Sequence, residues 1–125
     1  MRRMEYLLFT YPNCTQCEAL KKHLREEGVE AEVVDPRTLV PLDVDTIVES
    51  VKKTNRLIVA TEECERAGVN GEIAFRVMEE AFDYLDAPIA RVAAANVPVP
   101  FSPTLEEYMM PKTEDVVEAA RRLVG

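Results

Sequence analysis

Leu57-Ile58-Val59-Ala60-Thr61 is an uncharged run in a chain where Asp, Glu, Lys and Arg make up 30% of residues. Such a run reads as a central parallel strand covered on both faces, so helices must lie above and below it. The rest of the chain supplies the parts. Tyr6 to Thr10 is a short apolar run ended by Tyr11-Pro12-Asn13, and further strands are expected at Ala31–Asp35 and Ile89–Ala93. A helical pattern starts near Thr15, carries Leu20, Leu24 and the Ala19/His23 positions on one face, and stops at Gly28. Asp43 is placed to cap a helix through Lys53, with Val44, Ile47, Val48 and Val51 inward. A third helix is expected from about Asn70 to Leu85, carrying Ile73, Val77, Met78, Ala81 and Phe82. Val97–Pro103 is too proline-dense for a central strand. A short helix near Leu105–Tyr108 and a last one from Thr113 to Leu123 follow, with Thr113 as cap and Val116, Val117, Ala120 and Leu123 packing it. The expected fold is α/β, a single open, mostly parallel sheet with helices on both faces and right-handed crossovers.

At 125 residues the chain is expected to be one domain, residues 1–125. Its net charge of −8 repels polyanions, so nucleic acid is not an expected partner. No apolar stretch approaches bilayer length, so no membrane partner is expected either. Met1-Arg2-Arg3-Met4 has no apolar segment of the signal-peptide kind after it, and a cytoplasmic location is the expectation.

Three cysteines, an odd number, argue against a disulfide framework. Cys14 and Cys17 stand where strand gives way to helix, and a thiolate is favoured at a helix N-terminus. In a redox reading, Cys14 is the nucleophile and Cys17 the resolving thiol. Cys64 is expected beyond the C-terminal end of the Leu57 strand, on the same sheet edge as Cys14, and reads best as a lone, partly buried thiol. No metal site is expected, since a fourth ligand is lacking and His23, two helical turns beyond Cys14, reads as a helix-surface residue. Glu62, Glu63 and Glu65 read as solvated loop carboxylates. Gly68-Val69-Asn70-Gly71 offers amides for an anion, but the same glycines serve as turn and cap.

"YLLFTYPNCTQCEALKKHLREEGVEAEVVD" resembles the opening of a glutaredoxin-like protein of the thioredoxin fold, over about residues 4–35. The resemblance implies that Cys14 and Cys17 form a redox centre, with glutathione or a protein disulfide as partner. It also requires a proline facing the cysteine pair, and residues 50–70 contain none.

Residues 36–125 are similar to the C-terminal domain of transketolase-like enzymes, above all the beta subunits of pyruvate and branched-chain 2-oxo acid dehydrogenases. The turn "RTLVPLD", then "GEIAFRVMEEAFDYLDAP", "RVAAANVPVPFSP" and the terminal "EDVVEAARRLV" carry the likeness in that order. The resemblance implies that thiamine-diphosphate chemistry belongs to other domains, so no cofactor is expected here. It also implies a role in subunit association and in docking the acyltransferase, and a homodimer is expected from surface left uncovered. The two resemblances meet near Asp35–Arg37. The resulting expectation is an engineered, non-catalytic chimera whose only chemistry is thiol–disulfide exchange. The alternatives are a glutaredoxin-like oxidoreductase and an association or docking module of a dehydrogenase complex.

Overall fold

A computed structural model describes residues 2–8, 15–36 and 38–124, with side chains at 19, 22–36 and 38–123 among them. Four strands, β1 (Arg2–Leu8), β2 (Val29–Val34), β3 (Leu57–Cys64) and β4 (Ala90–Ala94), form one sheet in the order β2-β1-β3-β4. All three pairings are parallel. The helices are α1 (Thr15–Glu26), α2 (Val44–Thr54), α3 (Val69–Ala81), α4 (Pro103–Met109) and α5 (Thr113–Val124), with a 3₁₀ turn at Phe82–Tyr84 after α3. Among the described residues no helix is long and apolar enough to cross a membrane.

β3 explains why there are two cores. Its side chains alternate across the sheet. Ile58 and Ala60 enter one cluster with Leu24 of α1 and Val116, Val117, Ala119 and Ala120 of α5. Leu57 and Val59 enter the other with Val44, Ile47, Val48 and Val51 of α2 and Ile73, Val77 and Ala81 of α3. Burying a side chain the size of Ile58 contributes roughly 1.5–3 kcal/mol. The helices switch faces because the strand order reverses between β1 and β3, and right-handed crossovers on either side of that point must lie on opposite faces.

Local chemistry sets the boundaries. Gly28 takes φ 81, and its amide donates to the Arg25 carbonyl at 3.0 Å, ending α1. Asp43 caps α2 by accepting from the Thr46 amide at 3.1 Å and the Thr46 hydroxyl at 2.6 Å. Asn55, left-handed at φ 66, closes α2 with a 2.7 Å bond from its amide to the Val51 carbonyl. At α5 the expected cap moves by one residue. Thr113 lies inside the helix, and Asp115 reaches back to accept from the Lys112 amide at 2.8 Å.

The first strand–helix–strand shares one sheet with the rest of the chain: β1 lies inside, paired with β2 on one side and β3 on the other, and β2 forms an edge.

Candidate functional site

The third helix departs most from its expected burial. Ile73, Val77 and Ala81 point into the core, as the spacing predicts. Met78 and Phe82 do not. They are 42% and 62% exposed, and Phe75 joins them at 62%. At 100° per residue, apolar and small positions from Ile73 round to Phe75 sweep an arc of about 200°, twice the width of a core-facing stripe. Glu72, Arg76, Glu79 and Glu80 fill what remains. One half of the arc faces the sheet, and the other half faces outward.

The outward half lines a groove of about 710 Å³. Phe75, Met78 and Phe82 form one wall, while Leu85, Pro88 and Ile89, on the segment entering β4, form the other. That segment is held in place. Asn55 donates from its side chain to the Tyr84 carbonyl at 2.7 Å and accepts from the Asp86 amide at 2.8 Å. The Lys52 ammonium lies 5.4 Å from the centre of the Tyr84 ring.

Two charged residues mark the ends of the groove. Arg91 starts in β4, and its guanidinium ends beside the first turn of α3: a Cβ on Gly71 would lie 3.9 Å from Nη1. Asp86 lies beyond the far end of α3, and among the described residues nothing bonds its carboxylate. Arg91 is steadied from beneath by Asn70, which is fully buried. Nη1 donates to Asn70 Oδ1 at 3.1 Å and to the Glu65 carbonyl at 2.9 Å, and Nη2 lies 3.5 Å from the Glu65 carboxylate. Asn70 Nδ2 in turn donates to Thr61 Oγ1 at 3.2 Å and to the Cys64 carbonyl at 3.1 Å. Every hydrogen-bonding atom of this buried amide therefore has a partner.

The expected anion cradle at Gly68–Gly71 is filled from within. The Asn70 amide donates to Glu63 Oε1 at 3.0 Å, and the Gly71 amide to the Gly68 carbonyl at 3.1 Å. A carboxylate already at this helix start repels a diphosphate. Glu63 is thus a cap rather than a solvated loop acid, while Glu62 and Glu65 are exposed. The start of α3 therefore offers a diphosphate no free cradle, and among the described residues no group of three or more His, Cys, Asp or Glu is placed to hold a metal ion.

Of the cysteines, Cys14 lies outside the described residues. Cys17 sits in the first turn of α1, its side chain also outside them. Cys64 is the last residue of β3, half-buried, with its thiol 3.4 Å from the Ala95 carbonyl and 3.7 Å from that of Val97. His23 is exposed on the last turn of α1. Phe75, Asp86 and Arg91 were not singled out by motif reading. The width of the apolar arc on α3 is a signal for Phe75 alone, while nothing in the local pattern marks Asp86 or Arg91.

The chain is thus a three-layer α/β/α fold with an apolar groove on an outer helix. The family model described as "Transketolase, C-terminal domain" matches residues 7–116, and the chain belongs to that family. It is 51% identical over 100 residues to the pyruvate dehydrogenase E1 component subunit beta of Rickettsia felis, covering 80% of this chain and 31% of that protein. Against the mitochondrial counterpart from Dictyostelium discoideum, identity is 44% over 109 residues, covering 87% and 31%. The beta subunit of the acetoin:2,6-dichlorophenolindophenol oxidoreductase of Bacillus subtilis is 48% identical over 102 residues, covering 82% and 30%. The chain spans about a third of the length of the curated relatives it matches. Among solved structures, one described as "Split gene transketolase, inactive beta4 tetramer" superposes with a TM-score of 0.73 at 26% identity, over 97% of this chain and 37% of that one.

These matches correct the functional expectation. The family model begins at residue 7 and runs through Asp35–Arg37, so all but the first three residues of the segment resembling glutaredoxin lie inside the transketolase match. An engineered chimera defined by thiol–disulfide exchange, and its glutaredoxin-like alternative, give way to a transketolase C-terminal domain similar to that of pyruvate dehydrogenase E1 beta subunits. The glutathione expectation rested on the overturned reading alone.

Proposed function

We propose that this chain supplies the C-terminal domain of the beta component of a pyruvate-type 2-oxo acid dehydrogenase. Its partners are protein chains, and the α3 groove is where it meets one of them. The observation that carries this reading is the doubled apolar arc of α3, since a helix apolar over so much of its surface is built to be covered on two sides. The identity to pyruvate dehydrogenase E1 beta subunits supports the reading. The description of a similar solved chain as a beta4 tetramer supports self-association among the contacts. The decarboxylation itself is assigned to other domains, because the chain spans only about a third of the beta subunits it matches.

Domain exchange tests this. The matching third of the Rickettsia felis beta subunit is replaced by this chain, and the hybrid is assembled with its own alpha subunit. Pyruvate-dependent activity in the assembled hybrid is the expected result. A hybrid that folds by circular dichroism but neither assembles nor turns over pyruvate sinks the proposal.

A further inference from the structure

We draw no further inference here: the strongest candidate, the exposed apolar patch that Val97, Val99 and Phe101 form with Leu105 and Tyr108 of α4, carries nothing because nothing in the structure shows what covers it.

Discussion

Asn70 has no apolar role and no exposed surface, yet it fixes the position of Arg91 and the start of α3 at once. Asn70→Ala removes a donor and an acceptor and leaves Thr61 and part of Arg91 unpaired. A loss of about 1–3 kcal/mol in urea unfolding is expected. Two residues earlier, a Cβ on Gly68 would lie 2.4 Å from the Cys64 carbonyl oxygen and 2.9 Å from Glu63 Cδ. Backbone cannot step aside as a side-chain tip can, so Gly68→Ala is expected to cost about 1–3 kcal/mol. A midpoint within error of wild type would show that the β3–α3 connection gives way. None of this was legible in "GVNG". The shift in the β3–β4 register between Ala60 and Cys64 brings Glu63 and the Cys64 carbonyl against Asn70, and no local pattern announces such a shift.

Individual helices and strands were far more legible, because burial on one face leaves a periodic trace. The inward sets expected for α2 and α5 are buried or packed against the core as expected. α3 was half legible: Ile73, Val77 and Ala81 obey the core period, while Met78 and Phe82 satisfy a second surface that the same period hides. The link between α1 and α5 rests on charge. Arg121 donates to Glu27 through Nε at 3.0 Å and Nη2 at 2.7 Å. First by these bonds and then by its charge, it holds the Glu27 carboxyl below the usual carboxylate range. Asp43 is likewise lowered, by the Thr46 hydroxyl and amide. In both cases the folded value lies below the unfolded one, so in the interval between them the unfolded chain binds more protons and stability rises with pH. The contribution is complete above the ordinary carboxylate range near about pH 4 and is lost as pH falls through the lowered values. Glu27→Gln is expected to flatten part of the acid limb when Tm is followed from about pH 6 to about pH 2. Curves that stay parallel to wild type throughout would remove Glu27 from the explanation. Because the pair is exposed, its effect should also shrink in high salt.

Taken as one object, the molecule hangs both cores on β3. Ile58 and Leu57 lie on opposite faces of the same strand, so loosening one cluster loosens the strand that supports the other. Ile58→Ala is expected to cost about 2–5 kcal/mol. Its unfolding should remain a single transition when followed by circular dichroism and by Cys64 labelling. Two separated transitions would show the faces to be independent. The overall class, strands alternating with helices under a shared sheet, was legible from the uncharged run at Leu57–Thr61. The strand order was not, because nothing in β1 or β2 states which of them lies inside.

That order has a consequence during synthesis. The lid over Leu24, Ile58 and Val92 is α5, the last helix, and Arg121 reaches back to Glu27 across 94 residues. A nascent chain halted before Thr113 can complete all four strands and the α2–α3 layer, yet on the opposite side of its sheet only α1 is in place, and the ground that α5 covers beside it is left open to water and to other unfinished chains. A truncation that removes Thr113–Val124 should therefore deliver a sticky, chaperone-dependent product.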